Sequence, residues 1–182
     1  MATVPLMVHG SIDQSPEAIE KWFDDLPQAK PKLTKLHLYI RDIVSGGNPT
    51  VVQIAEAKFN TRKSMATGFG GTFAFDDPIT TGPEFDSKII GRAQGTYTRI
   101  SQSDSGVLML AFNLVFTEGE YNGSTISFLC TDSIFHKYRE LPIIGGSSFF
   151  RLAQGIATEE TVNLDPATGD ALVEYNVFIL HY

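Results

Sequence analysis

The chain has 182 residues, 42% of them hydrophobic and 19% charged, which fits one globular domain with its own core rather than a disordered segment. Its 14 basic and 21 acidic residues give a net charge of −7. That charge excludes a basic nucleic-acid surface and disfavours binding to anionic membranes. The only cysteine, Cys130, rules out an internal disulfide and a cysteine-based zinc site. None of the four histidines forms an HxH or HxxxH pair, and we expect neither a metal nor a cofactor.

A short helix is predicted near the N-terminus. Ser15 is a suitable N-cap, and Pro16 suits the first helical position. Four apolar side chains then recur at helical spacing: Ile19, Trp22, Phe23 and Leu26. We therefore predict a helix over residues 16–25 that packs on the outside of the domain.

After residue 32 the hydrophobic period changes from helical to two, which indicates β-strands. Turn signals separate eight alternating segments, and one of these signals is Asp76-Asp77-Pro78. The predicted strands are Leu33–Val44, Val51–Lys58, Gly68–Phe75, Lys88–Ile100, Gly106–Phe116, Ser124–Asp132, Ser148–Thr158 and Ala171–His181. Asn122-Gly123 is a strong hairpin signal.

This pattern predicts an all-β fold, an eight-stranded antiparallel up-and-down β-barrel with a short N-terminal helix. We place the barrel domain at residues 33–182 and an N-terminal extension at residues 1–32. A barrel of eight strands has room inside for one small ligand.

Two predicted strands end apolar rows with a carboxylate. In the first strand, Leu38, Ile40 and Asp42 share a face, and in the sixth strand Phe128 and Asp132 do so. If these rows face the barrel interior, both aspartates lie at the rim of an apolar cavity. A buried carboxyl whose pKa is raised by burial is a candidate general acid.

Three further side chains belong to the same predicted cavity. Tyr97 shares a face with small residues of the fourth strand, and Phe112 starts a bulky row of the fifth. Arg139 follows Asp132 closely enough to pair with it, which the cost of an unpaired buried charge favours. Turn-forming aspartates, a core tyrosine and a surface Arg139-Glu140 ion pair also fit the pattern. Spacing alone therefore predicts only a barrel that binds a small apolar ligand.

The same stretches resemble the plant dirigent family, in the family's order and over roughly residues 33–182. They are Leu36–Ile43, Asn48-Pro49-Thr50, Phe75–Pro83, Gly91–Tyr97, Tyr121–Thr125, Arg139–Gly146 and Val173–Asn176. The Trp22-Phe23 pair and residues 136–140 resemble the legume isoflavonoid branch, to which the pterocarpan synthases belong.

The resemblance implies several properties of the protein. It implies a homotrimer without a cofactor, secreted into the apoplast after loss of a signal peptide, and glycosylation of the sequon at Asn122 suits secretion. The family's proposed polar set corresponds to Asp42, Tyr97, Asp132 and Arg139. The apolar substrate-binding residues are predicted as Leu38, Ile40, Phe112 and Phe128.

The resemblance also implies a small phenolic substrate. The first hypothesis is a lyase, not an oxidoreductase, that dehydrates a hydroxyisoflavanol through a quinone methide and closes the pterocarpan ring. Protonated Asp42 or Asp132 would donate to a benzylic hydroxyl, while Arg139 and Tyr97 would bind the phenol oxygen. The alternative is control of radical coupling, in which an external laccase or peroxidase oxidises coniferyl alcohol and one lignan enantiomer, pinoresinol, forms. Two further alternatives are a non-catalytic barrel that binds a small aromatic ligand and a cell-wall scaffold.

Overall fold

The computed structural model describes residues 12–57 and 66–182. Its strands are β1 (Lys32–Asp42), β2 (Val51–Ala55), β3 (Thr72–Thr80), β4 (Ile89–Arg99), β5 (Val107–Phe116), β6 (Thr125–Ser133), β7 (Arg139–Ser147), β8 (Gln154–Leu164) and β9 (Ala171–His181). One α-helix, α1 (Pro16–Asp25), precedes them, and short 3-10 turns lie at Leu26–Gln28, Gly119–Tyr121 and Ser148–Phe150. Within the described ranges, no helix has the length and apolar character needed to cross a membrane.

The strands close into an antiparallel barrel of eight positions. Neighbouring strands pair in sequence from β2 to β9, and β9 pairs along the whole length of β1. β1 also pairs with the end of β3, at Tyr39↔Thr80, while β2 pairs with its start, at Val51↔Phe75. β1 and β2 therefore share one position in the barrel wall, which confirms the predicted eight-stranded architecture.

The predicted inward rows are the buried rows of the barrel. Residues 38 and 40 of β1, alternate residues 126–132 of β6 and alternate residues 112–116 of β5 are all buried. Most of these side chains belong to one continuous core. Cys130 lies within it as a free, buried thiol, as a small apolar residue would.

Asp76-Asp77-Pro78, predicted as a turn, lies inside β3 instead. Pro78 lies between the stretch of β3 that pairs with β2 and the stretch that pairs with β1. It therefore has no partner strand on that side, and its missing backbone N–H breaks no strand pairing. The extended backbone turns Asp77 inward, where it is 3% exposed. The prediction was wrong because the turn propensities of Asp and Pro were overridden by tertiary pairing.

The strand predicted over Ser148–Thr158 was also placed wrongly. Ser148 and Leu152 have positive φ angles of 55° and 54°, so the chain turns there, and β8 begins at Gln154. β7 was not predicted, because Pro142 and the pair Gly145-Gly146 are residues that strands disfavour. The second predicted strand ends earlier than expected, at Ala55, and its last predicted residue lies outside the described residues.

The N-terminal helix has the predicted bounds. The Ser15 hydroxyl accepts a hydrogen bond from the backbone N–H of Ala18 at 3.3 Å, as an N-cap does. All ten residues of α1 remain at least partly exposed. Arg151 connects this region to the barrel, because it donates to the Asp13 carbonyl at 2.8 Å and lies 5.5 Å from the Trp22 ring.

The two ends of the barrel interior differ. At the end where β5 finishes, five rings pack against one another and close the interior; they are Phe116, Tyr121, Phe149, Phe150 and His181. We call this cluster the aromatic plug. The opposite end, where β1 finishes and β7 begins, opens into a cavity.

Candidate active site

A cavity of about 510 Å³ lies at the open end of the barrel, a volume within the range of about 300–1,000 Å³ typical of small-molecule sites. Apolar side chains make up much of its wall, among them Ile40, Phe73, Phe75, Leu110 and Phe112. Its polar side chains are Asp42, Asp77, Tyr97, Arg99, Ser105, Asp132, Arg139, Glu159, Thr161, Asp165, Thr168 and Tyr175. Most of them form two groups on different strands, with β1, β3 and β4 on one side and β6, β7 and β8 on the other.

The first group is an arginine between two carboxyls. Arg139 Nε donates to Glu159 Oε1 at 2.9 Å and lies 3.1 Å from Asp132 Oδ1. Arg139 Nη1 donates to the Ile134 carbonyl at 2.8 Å and to the Thr161 hydroxyl at 2.9 Å. The three ionisable side chains are almost completely buried, so this pairing compensates much of their desolvation.

Asp132 has the less complete set of partners in this group. The Nε–H of Arg139 is directed at Glu159, and Asp132 Oδ1 accepts no hydrogen bond from any described residue. Burial raises the pKa of Asp132, and the charge of Glu159 raises it further, against a lowering effect of Arg139. Asp132 is therefore a buried carboxyl that stays protonated to a higher pH than usual, and its Oδ1 accepts no hydrogen bond although Arg139 lies beside it, which suits a general acid.

The second group consists of two aspartates near Thr50. The Thr50 hydroxyl donates to Asp77 Oδ1 and accepts the backbone N–H of Ile43 at 3.0 Å, which ties the end of β1 to β3. The pairing of Ile40 with Ile79, extended by two residues, places Asp42 opposite Asp77. Asp42 Oδ1 is buried and has no hydrogen-bond partner among the described residues.

Both of these aspartates bind protons more tightly than usual. Burial raises the pKa of Asp42 to about 6, and the charge of Asp170 adds to the effect. Burial raises the pKa of Asp77 to about 8, although its hydrogen bond from Thr50 acts in the opposite direction. Near neutral pH the pair therefore holds about one proton, so it can donate at one oxygen and accept at another.

Tyr97 presents its hydroxyl beside this pair. Its ring stacks on Phe73 with 4.8 Å between centroids and an angle of 16° between planes. Burial raises the pKa of the Tyr97 hydroxyl, and the Asp42 charge adds to this. The hydroxyl is therefore a neutral hydrogen-bond donor at physiological pH.

All four polar residues predicted from the sequence line one cavity: Asp42, Tyr97, Asp132 and Arg139. Of the apolar residues predicted to bind substrate, Ile40 and Phe112 line it. Leu38 and Phe128 do not; both are buried in the core below, where Phe128 stacks on Phe112 at 4.8 Å. Phe128 therefore supports the cavity wall through its contact with Phe112.

The prediction did not include the other polar residues of the cavity: Asp77, Arg99, Ser105, Glu159, Thr161, Asp165, Thr168 and Tyr175. Asp77 was assigned to a turn, and the strand that carries Glu159 was predicted to end one residue before it. Tyr175 belongs to an alternating row of β9, and alternation does not distinguish a core tyrosine from one that faces a cavity. Arg99 lies two residues after Tyr97 in β4, and the period of two therefore places both side chains on the same wall.

Asn122 lies at the other end of the barrel, in the connection between β5 and β6 over residues 117–124. A turn is present there, because Ser124 N donates to the Tyr121 carbonyl at 2.9 Å and Gly123 has a φ of 81°. Asn122 has a φ of −51°, and the two strands are not joined by the two-residue hairpin turn that the Asn-Gly pair predicted. Asn122 is half-buried, and Ser124 of the same sequon is buried. Within the described part of the chain, no cluster of three His, Cys, Asp or Glu side chains is arranged to hold a metal ion.

The cavity-bearing barrel matches a known family. The model of the dirigent-like protein family matches residues 33–180. Dirigent protein 21 of Arabidopsis thaliana is 49% identical over 156 residues, which cover 85% of this chain and 81% of that protein. Pterocarpan synthase 1 of Glycyrrhiza echinata is 45% identical over 152 residues, covering 83% of this chain and 79% of that protein.

A solved structure extends the likeness from sequence to fold. The structure of a pterocarpan synthase dirigent protein superposes with a TM-score of 0.77 at 43% identity, covering 85% of this chain and 87% of that one. The residues that the family model matches, 33–180, contain all but the two end residues of the barrel strands and both polar groups. On the agreement of family model, curated relatives and solved structure, this chain belongs to the dirigent-like protein family.

Proposed function

We propose that this protein dehydrates a phenolic benzylic alcohol to a quinone methide and directs its stereoselective ring closure, as in the formation of a pterocarpan from a hydroxyisoflavanol. The observation that carries the proposal is the pair of carboxyl groups with raised pKa, Asp42 and Asp132, on different strands of one apolar cavity. The similarity to pterocarpan synthases at 45% identity supports it.

The reaction is redox-neutral and releases one water. A protonated aspartate donates to the benzylic hydroxyl, the C–O bond breaks and water leaves, while the phenol on the same ring gives up its O–H proton to a carboxylate. The electron pair of that O–H bond moves into the ring and forms the quinone methide. A second phenol then attacks the methide carbon, its proton passes to a carboxylate, and the methide oxygen regains a proton.

The two polar groups suit the two halves of this reaction. Asp132, whose Oδ1 lies 3.1 Å from Arg139 Nε but accepts no hydrogen bond, is the proton donor we assign to the leaving hydroxyl. The Asp42–Asp77 pair holds about one proton near neutral pH and can return it to the methide oxygen or accept one from the phenol. The aromatic wall of Phe73, Phe75 and Phe112 keeps bulk water from adding to the methide.

A second candidate function has its own support. Relatives named only as dirigent proteins match this chain at 48–49% identity, as closely as the pterocarpan synthases do. In this alternative an external laccase or peroxidase oxidises coniferyl alcohol, and the cavity orients the radicals so that one enantiomer of pinoresinol forms. The two functions differ in whether product forms without an oxidase.

We also propose a secreted homotrimer. Apolar side chains project outward from β5 to β9, including Met109, Leu129, Ile144, Ile156, Phe178 and Leu180. Ile156 pairs laterally with Pro142 and with Phe178, so part of this outer surface is continuous and apolar. Such a patch marks a protein–protein contact. Glycosylation of Asn122 and secretion to the apoplast remain predictions from the sequence.

The test is a chiral product assay without oxidase, in which purified protein is incubated separately with a hydroxyisoflavanol and with coniferyl alcohol. We expect cyclised product from the isoflavanol, and a loss of about 10²–10³-fold in turnover for Asp132→Asn, the range for removal of a general acid. Asp86→Asn, on an exposed loop, is the matched control and should retain full turnover.

Other outcomes separate the candidates. Unchanged turnover in a folded Asp132→Asn variant contradicts the acid–base assignment. If neither substrate reacts, laccase is added to the coniferyl alcohol sample: one-handed lignan then establishes coupling control, and a racemate leaves a barrel that only binds aromatic ligands.

A further inference from the structure

Arg99, the last residue of β4, is a second arginine of the cavity and has no role in the reaction derived above. Arg139 of the cavity and Arg92 on the outer side of β4 each form ion pairs with carboxylates, at 2.7–3.1 Å. No carboxylate of the described residues lies within ion-pair distance of Arg99. Its Nε is buried and donates to no described acceptor.

The fold holds this guanidinium in a defined place. Its central carbon lies 5.5 Å from the centroid of the Phe73 ring, which in turn stacks on Tyr97. Backbone hydrogen bonds join Arg99 N to the Gly71 carbonyl at 3.0 Å and Gly70 N to the Arg99 carbonyl at 2.9 Å. At Gly68 a Cβ would lie 2.8 Å from Arg99 Nη1, so the missing side chain leaves room for the guanidinium.

A buried, unsatisfied guanidinium N–H is costly, and an oxygen acceptor from a ligand would relieve that cost. Charged donors form the strongest hydrogen bonds with anionic oxygens such as a phenolate. The hydroxyl of Tyr97 lies near enough to Arg99 for the positive charge to lower its pKa, against the effect of burial. The carboxyls that face this region are Asp42, Asp77 and, at the rim, Asp165.

We infer that Arg99 is a substrate-recognition residue that binds the phenolic oxygen of the ligand and favours its phenolate form, with the Tyr97 hydroxyl as a second donor. The inference rests on the proposed function for the identity of the ligand. It assigns the ligand an orientation: the phenol ring that becomes the methide points its oxygen towards Arg99, and its benzylic carbon faces Asp132. Arg139, which is committed to two carboxyls, then serves to hold those carboxyls in place.

The selected substrates are therefore phenols that carry an ionisable hydroxyl at one end and a benzylic hydroxyl nearer the other. Blocking the phenol as a methyl ether removes the anionic oxygen and should weaken binding. The same preference holds if the barrel only binds ligands, because it depends on ground-state ionisation of the phenol and not on turnover.

The experiment uses 4-nitrophenol, whose phenolate absorbs in the visible range and which ionises close to neutral pH. Titration of the bound probe with pH measures the preference of the cavity for phenolate over neutral phenol. We expect the wild type to prefer the phenolate by about tenfold, the effect of one charge-assisted hydrogen bond. Arg99→Gln should abolish the preference, and Arg99→Lys should retain most of it because the charge remains.

The matched control is Arg92→Gln, which removes an arginine from the outer side of the same strand, where it pairs with Asp76. It should leave the preference unchanged, and circular dichroism should show all three variants folded. A wild type that does not bind the probe, binds both forms equally, or keeps its preference in folded Arg99→Gln overturns the inference. A retained preference with no product from the isoflavanol overturns the proposed function alone.

Discussion

The two ends of the barrel are built from the same strands but hold opposite chemistry. The inward row of β6 runs unbroken from Ile126, near the aromatic plug, to Asp132 at the cavity. The row of β4 that carries the cavity residues starts with the small residues Gly91, Ala93 and Gly95 and ends in Tyr97 and Arg99. The plug is almost free of charge, whereas five carboxyls and two arginines line the cavity.

This contrast indicates a division of labour between stability and chemistry. Buried ionisable groups cost free energy when their charges are not fully compensated, and Asp42, Asp77 and Asp132 all have raised pKa values caused chiefly by burial. The aromatic rings of the plug bury apolar area without that cost. Apolar burial in the aromatic plug therefore offsets the free-energy cost of the buried ionisable groups in the cavity.

Removal of a plug ring should have the largest effect on stability. Phe150 is completely buried, and its ring contacts Phe116, Tyr121 and His181. We expect Phe150→Ala to lower the free energy of unfolding by about 4 kcal/mol, as for other buried Phe→Ala changes. Phe85→Ala, at a ring that is 86% exposed, is the control and should change it by less than about 1 kcal/mol. Equal effects in chemical unfolding would show that the plug is not a stabilising centre.

At the open end, Arg139→Met should reveal the cost of the carboxyls. It leaves Asp132 and Glu159 buried without a counter-ion, and loss of one partner of a buried pair costs about 3 kcal/mol. Protonation removes the unpaired charge, so the loss should be larger at pH 8 than at pH 5. Chemical unfolding at both pH values measures this, and Arg139→Lys, which keeps a charge, should lose less. The same loss at both pH values would mean that packing of the arginine, and not its charge, stabilises this end.

The barrel architecture could be predicted because it depends on alternation and turn signals, which are local. The inward rows of β1, β5 and β6 follow directly from the period of two. Strand bounds failed where tertiary pairing overrode local preference, as at Asp77 in β3 and at Pro142 in β7. The positive φ angles of Ser148 and Leu152 left no sequence signal, since neither residue type favours them.

The site could be predicted only in part, for a related reason. Asp42, Tyr97 and Asp132 stand at or near the ends of alternating rows, where a face assignment is enough to find them, and Arg139 was proposed only because it follows Asp132 closely in the sequence. The partnership of Arg139 with Glu159 joins residues 20 positions apart, and it depends on the register between β7 and β8. Single-sequence reasoning does not provide that register. The unpaired state of Arg99 likewise depends on the three-dimensional fold, because among the described residues no acceptor forms a hydrogen bond with its Nε.

Asp77→Asn should sharpen the comparison through the pH dependence of stability. Because the folded-state pKa of Asp77 is raised to about 8, the folded state binds a proton that the unfolded chain has lost above pH 4 or so. The free energy of unfolding therefore falls as pH rises from about 4 to about 8, by up to about 1.4 kcal/mol per pH unit for one such group. Asparagine mimics the protonated acid and should remove the contribution of Asp77 to this slope, whereas Asp76→Asn, at the exposed neighbour, should keep it. Parallel curves for wild type and Asp77→Asn between pH 5 and pH 8 would contradict the raised pKa.

The smallest effects should come from a pair of tyrosines, one at each end. Tyr97→Phe keeps the ring stack on Phe73 and removes the hydroxyl that faces the cavity, so we expect an unfolding free energy within about 1 kcal/mol of wild type. Turnover should fall only about tenfold, the value of one hydrogen bond of about 1.4 kcal/mol, because Arg99 still binds the same oxygen. Tyr121→Phe makes the same chemical change in the plug and should leave turnover unaltered. If the two variants slow the reaction equally, the Tyr97 hydroxyl affects turnover through the packing of the barrel and not through contact with substrate. That result would contradict the assignment of stability to the plug and chemistry to the cavity.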